Sequence, residues 1–185
     1  MEYGLIGAKL GHSYSKIIHE LLLPQYPYEL HPLPTEAEAR QFLEQRPFQA
    51  INVTIPYKQL VIPYCEAVDE RASAIGAVNT IVNRDGKLYG HNTDFGGFLY
   101  MVKAHGVSLR DKTVLILGTG GTHNTVAAVC RSEGAAEILT VSRRAGEGQL
   151  DYAQAAARTD VQIVVNTTPS GMYPDNGGCL LELGG

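Results

Sequence analysis

Thr113-Val114-Leu115-Ile116-Leu117-Gly118-Thr119-Gly120-Gly121-Thr122 carries an apolar run straight into a cluster of glycines. The run reads as a buried strand, and Val126, Ala127, Val129 and Cys130 downstream mark a helix. Strand, glycine turn and helix in that order are the setting of a dinucleotide turn. Glycine permits the tight turn and lets the backbone approach a pyrophosphate at the helix N-terminus. His123 stands at the third glycine position of G-x-G-x-x-G, so the strand–turn–helix context carries the reading. Gly118, Thr119, Gly120, Gly121 and Thr122 are the expected cofactor contacts, in an α/β fold with a Rossmann-type dinucleotide-binding domain.

The next strand, Glu137-Ile138-Leu139-Thr140-Val141, ends in Ser142-Arg143-Arg144. An acid at this point would bond the ribose hydroxyls of NAD, whereas two arginines suit the added 2′-phosphate of NADP. The expected cofactor is NADP. A weakly helical stretch, 149–157, leads to Val161-Gln162-Ile163-Val164-Val165, a third strand running into Asn166-Thr167-Thr168-Pro169-Ser170-Gly171-Met172. That loop's strand-end position places Thr167 on the cofactor side of the sheet.

Upstream, residues 106–112 break the pattern and predict a junction between domains spanning 1–105 and 106–185. The first domain opens on Tyr3-Gly4-Leu5-Ile6-Gly7, a buried strand, followed by Ile17, Ile18, Leu21 and Leu22 at helical spacing. Ser13 or Ser15 is the expected N-cap. Two hydroxyls beside a helix N-terminus also suit a carboxylate, which free amides and the dipole favour. Tyr28 to Leu33 reads as a second strand, and Thr35-Glu36-Ala37-Glu38 as a capping box opening a helix through about Glu44. Ala50-Ile51-Asn52-Val53 is the central strand, and the alternation predicts a mostly parallel sheet. Pro56 cannot extend a ladder, so the chain turns where Thr54 and Lys58 stand, at the strand end where open α/β sheets bind ligands. Gly76 to Asn83 is read as a further strand carrying Asn79, and Asp85-Gly86 as a hairpin turn. Asp94 is placed to cap a helix with Phe95, Phe98, Leu99 and Val102 on one face.

The 185 residues are 44% apolar and 18% charged with a net charge of -4, a globular composition without a basic face for nucleic acid. Three scattered cysteines suit neither a disulfide framework nor a zinc motif, and no His-Glu-x-x-His pattern points to a metal. Without a basic leader or an apolar run of about 20 residues, a soluble cytoplasmic protein is expected.

Six ordered motifs together resemble the shikimate dehydrogenase family, NADP-dependent enzymes of aromatic amino-acid biosynthesis. They are Gly4-Leu5-Ile6-Gly7 with His12-Ser13-x-Ser15; Asn52 to Lys58; Gly76-Ala77-Val78-Asn79-Thr80; Asn92-Thr93-Asp94; Gly118-Thr119-Gly120-Gly121; and Asn166 to Met172. The resemblance implies a substrate domain beside the cofactor domain, with shikimate or 3-dehydroshikimate as the small-molecule partner. Ser13 and Ser15 would hold its carboxylate, and Thr54, Asn79 and Asp94 its ring hydroxyls. Lys58 would be the catalytic lysine, paired with Asp94, and Ser142 to Arg144 would hold the adenosine ribose phosphate. Glu70 matches a family position near the nicotinamide. A lysine of ordinary pKa near ~10.4 can give the proton that a reduced ketone needs, and a neighbouring carboxylate orients it.

The family is longer than this chain, which ends after Leu183-Gly184-Gly185. Residues 113–185 supply one of the two halves of a dinucleotide domain. The family's C-terminal helices, which cover the first domain, have no counterpart, so exposed apolar surface is expected there. The alternatives are a relative acting on quinate or an amino analogue, and a truncated module that binds shikimate or nucleotide without catalysis. A monomer or a homodimer fits either.

Overall fold

The computed structural model describes residues 1–11, 13–172 and 176–181. His12 and Leu183-Gly184-Gly185 lie outside the described residues. The chain separates into two compact units, Met1–Asp94 and Phe95–Gly185.

The first unit runs β1 (Tyr3–Gly7), α1 (Ser15–Leu22), β2 (Tyr28–Pro32), α2 (Glu36–Gln45), β3 (Ala50–Val53), β4 (Ala67–Val68), α3 (Glu70–Ile75), β5 (Thr80–Arg84) and β6 (Lys87–His91). Its sheet has the order β2-β1-β3-β5-β6-β4. β1 lies parallel to β2 and β3, while β5 is antiparallel to both β3 and β6. The Asp85-Gly86 turn joins β5 to β6 with both residues at positive φ, 52° and 81°, as a type I′ hairpin requires. The Thr35–Glu38 capping box forms with both reciprocal bonds, and α2 turns Ala39, Phe42 and Leu43 inward. Alternation along β3 buries Ile51 and Val53 in the main core with Ile6, Leu43, Val61, Val78, Ile81 and Leu88. Asn52 therefore faces the other side of the sheet, where Leu5, Leu10 and Tyr28 form a smaller cluster.

Two local expectations are corrected. Neither serine caps α1: the N-cap is Tyr14 without a side-chain bond, because Ser13 Oγ accepts the Ser15 N–H instead. The strand expected from Gly76 starts only at Thr80, because Gly76 adopts φ +71° to close α3. The segment between is tied crosswise, Val78 N–H to the Lys58 carbonyl and Asn79 N–H to that of His91. The apolar side chains of α1 are exposed, Ile17 and Leu21 at 55% and 77%.

α4 (Asp94–Ala104) starts on the last residue of the first unit and belongs otherwise to the second. There follow β7 (Thr113–Leu117), α5 (Gly121–Ser132), β8 (Glu137–Val141), α6 (Tyr152–Ala156) and β9 (Ile163–Asn166). The strands are all parallel in the order β8-β7-β9. A parallel sheet threaded by helices buries β7 almost entirely, with Val114, Leu115 and Ile116 at most 1% exposed. The order reverses at β7, which makes its carboxyl end a switch point where Rossmann-type sheets take ligands.

Candidate active site

Lys58 is positioned by backbone bonds around it. Beyond β3 the Thr54 N–H donates to the Ile6 carbonyl at 2.9 Å, and the Tyr57 N–H to that of Thr54 at 3.0 Å. Tyr57 is buried, with its hydroxyl donating to the Leu33 carbonyl at 2.5 Å. The Lys58 carbonyl accepts the Val78 N–H at 2.8 Å. With its main chain held, Lys58 donates from Nζ to Asp94 Oδ2 at 2.6 Å, the two side chains 27% and 43% exposed. Asn92 frees the aspartate for this contact. Its Oδ1 takes the Asp94 N–H at 2.9 Å and its Nδ2 donates to the Ala77 carbonyl at 2.9 Å.

The pair lies on the wall of a cavity of about 540 Å3 at the carboxyl ends of β1 and β3. Ser13, Ser15, Thr54, Lys58, Asn79 and Asp94, the expected substrate residues, all line it, with Lys9, Asn52 and Thr93 beside them. Gly7 is what lets Thr54 approach: a Cβ there would stand 2.5 Å from Thr54 Cγ2. Asn79 is 7% exposed, and its Oδ1 accepts the Thr93 N–H while its Nδ2 donates to Thr93 Oγ1. Fixed cation, carboxylate, amide and hydroxyls around an open space suit a small polyhydroxylated acid. Asn52 and Thr93 stand in the sequence motifs without an expected role there. The signal for Asn52 was a polar residue at period two inside an apolar strand.

A second cavity, about 410 Å3, opens at the carboxyl ends of β7, β8 and β9. Gly118, Thr119, Gly120, Ser142, Arg143 and Thr167 line it, joined by Thr168 from the same motif as Thr167 and by Tyr152, which no motif contains. A dinucleotide fits these residues. Gly118 has φ +99°, and a Cβ on it would stand 2.7 Å from Thr168 Cγ2. Gly120 and Gly121 look onto open space, and α5 begins there with no side-chain cap and no acid in its first turn. Such an N-terminus offers free N–H groups and the positive end of the dipole to an anion. Gly121 and Thr122 lie exposed at the start of α5 outside the cavity lining, and Arg144 is exposed one residue beyond it. Glu70 is exposed at the head of α3 in the first unit and lines neither cavity. Among the described residues no group of three or more His, Cys, Asp or Glu side chains could hold a metal, and no helix is long and apolar enough to cross a membrane.

Comparison with known proteins bears on both cavities. A sequence model described as the shikimate dehydrogenase substrate binding domain matches residues 5–81. The shikimate dehydrogenase (NADP(+)) of Clostridium beijerinckii is 35% identical, over 93% of this chain and 69% of its own length. That of Oleidesulfovibrio alaskensis is 38% identical, over 94% and 67% respectively. The Thermus thermophilus shikimate 5-dehydrogenase, solved in complex with NADP(H) and shikimate, superposes with a TM-score of 0.83 at 29% identity. The match covers 98% of this chain and 73% of that one.

Proposed function

This chain belongs to the shikimate dehydrogenase family, and on that premise we propose that it catalyses the reversible NADPH-dependent reduction of 3-dehydroshikimate to shikimate. The observation that carries the reading is the Lys58–Asp94 contact of 2.6 Å on the wall of a cavity that also holds Ser13 and Ser15. The substrate side of the reaction falls to residues 1–105 and the cofactor side to 106–185, with Glu70 of the first domain added to the cofactor side.

Ser13 and Ser15 receive the substrate carboxylate beside the α1 N-terminus, and Thr54, Asn79 and Asp94 bind the ring hydroxyls. NADPH, when bound, supplies the hydride, a chemistry that belongs to the cofactor. Gly118 to Thr122 with Thr167 receive its pyrophosphate, Ser142, Arg143 and Arg144 its 2′-phosphate, and Glu70 serves the nicotinamide side. Lys58 does the protein's own share of the reaction. Its ammonium donates a proton to the oxygen that becomes the alcohol as negative charge develops there, and in the oxidative direction its neutral amine takes the proton back. Asp94 orients Nζ through their contact at 2.6 Å. The reading carries with it a cytoplasmic location and a monomeric or homodimeric state.

The test is a paired assay on the purified chain: shikimate binding by calorimetry, and NADPH formation from shikimate and NADP by absorbance. Binding with turnover is expected. Binding without turnover would leave a shikimate-binding module, and turnover of quinate in preference to shikimate would move the substrate assignment.

A further inference from the structure

Asn79 sits at the end of a line of polar side chains that begins beneath the cavity floor. Their chemistry determines which way every proton in that line points. The backbone N–H of Thr93 can only donate, and it does so to Asn79 Oδ1 at 2.9 Å. The Asn79 amide is thereby oriented, with Nδ2 towards Thr93 Oγ1 at 3.0 Å. Thr80 Oγ1 lies 3.0 Å from the same Asn79 Oδ1. That oxygen carries no proton, so the Thr80 hydroxyl must donate. Having spent its proton, Thr80 Oγ1 can only accept from Asn52 at 3.1 Å, which puts Asn52 Nδ2 on that side. Asn52 Oδ1 then faces the Tyr28 hydroxyl at 2.7 Å and takes its proton.

The line is built on strand register. Asn52 of β3 is directly paired with Thr80 of β5, so their side chains share one face of the sheet. Tyr28 is 2% exposed, and burial pushes its phenol up to about 12, with the hydrogen bond from Ser15 acting the other way. The phenol therefore keeps the proton that the line requires at any neutral pH.

We infer that Tyr28 is a positioning residue for substrate recognition. Through Asn52 and Thr80 it adds a second bond to the Asn79 Oδ1 that the Thr93 N–H already holds, and so steadies the amide with the second N–H on Nδ2 offered to the cavity. A substrate hydroxyl at that point must then accept a hydrogen bond from Asn79. The selectivity that follows is chemical: a ring substituent with a lone pair is admitted, and an ammonium in its place is opposed because it can only donate. No side chain of this line other than those of Asn52 and Asn79 has to touch the ligand.

The inference rests on the substrate reading proposed above, so its test separates the two. Shikimate and cyclohexene carboxylate, which keeps the acid and lacks the ring hydroxyls, are titrated by NMR into the whole chain and into its Tyr28→Phe and Thr80→Val variants. Each variant is expected to weaken shikimate about ten-fold, the size of one hydrogen bond to a buried polar group, with cyclohexene carboxylate unchanged. The double variant should be no weaker than either single one, since both cut the same line. Equal weakening of both ligands would mean a merely structural role, and unchanged shikimate binding would mean no role; either overturns the inference. If Tyr28→Phe fails to fold, Thr80→Val alone decides. A wild-type chain that does not bind shikimate overturns the substrate reading itself, and this inference with it.

Discussion

The cavity beyond β1 and β3 is walled by side chains, whereas the one beyond β7, β8 and β9 sets two glycines and a helix N-terminus among its side chains. Both lie at strand carboxyl ends, as open α/β sheets dictate. In the first, selectivity depends on where an amide, an ammonium and several hydroxyls are pointed, and hydrogen bonds such as those of Asn79 and Asn92 do the pointing. In the second, glycines keep side chains out of the way and a helix N-terminus presents N–H groups. The two should therefore fail differently under substitution. Removing a functional group should injure the first, and adding a single methyl group should injure the second.

The largest effect is expected at Lys58. Lys58→Ala should lower kcat for shikimate oxidation by ~10² or more, the usual loss of an acid–base group, with shikimate still bound. A variant turning over at the wild-type rate would remove Lys58 from proton transfer. Gly118→Ala is the counterpart in the second cavity. The alanine Cβ would meet Thr168 Cγ2 at 2.7 Å on a backbone at φ +99°. NADP affinity, measured by fluorescence titration, should fall at least ~10-fold given the strain of about 1–3 kcal/mol at such a position. Shikimate affinity should stay unchanged, and its loss as well would mean that the two cavities do not fail separately.

Most of the architecture was legible because periodicity and turn chemistry act locally. The Asp85-Gly86 hairpin and the Thr35–Glu38 box each need only a few adjacent residues, and both formed as read. Gly76 was read as strand because Ala77 and Val78 are apolar, but its left-handed backbone belongs to the end of α3, a tertiary choice that propensity does not show. Residue type alone makes Ser13 or Ser15 the expected N-cap of α1. The structure gives Ser13 to a local turn and leaves the α1 N-terminus without a side-chain cap. Thr54 and Lys58 were legible as polar groups at a strand end and Ser13 and Ser15 as hydroxyls beside a helix N-terminus, while the substrate roles of Asn79 and Asp94 came with the family resemblance; all six line one cavity. The role of Tyr28 was not, because it depends on β3–β5 register, which no single segment encodes.

Arg143 sharpens the comparison from the side-chain part of the second cavity. Arg143→Ala should weaken NADP by about ten-fold or somewhat more, as expected for a charge-assisted bond, and NAD much less. Equal weakening of both nucleotides would place Arg143 away from the 2′-phosphate. The smallest effect is expected at Thr35, remote from both cavities. Thr35→Ala removes the α2 cap and should cost about 1 kcal/mol in urea unfolding. Any change in ligand affinity there would show that the sites are less insulated from the scaffold than the structure implies.

The most direct measurement is a crystal structure of this chain with shikimate bound. The account predicts the carboxylate on Ser13 and Ser15, and a ring hydroxyl within hydrogen-bonding reach of both Lys58 Nζ and Asp94. A ligand turned end for end, with its carboxylate on Lys58, or seated outside the cavity of the first unit, would contradict it.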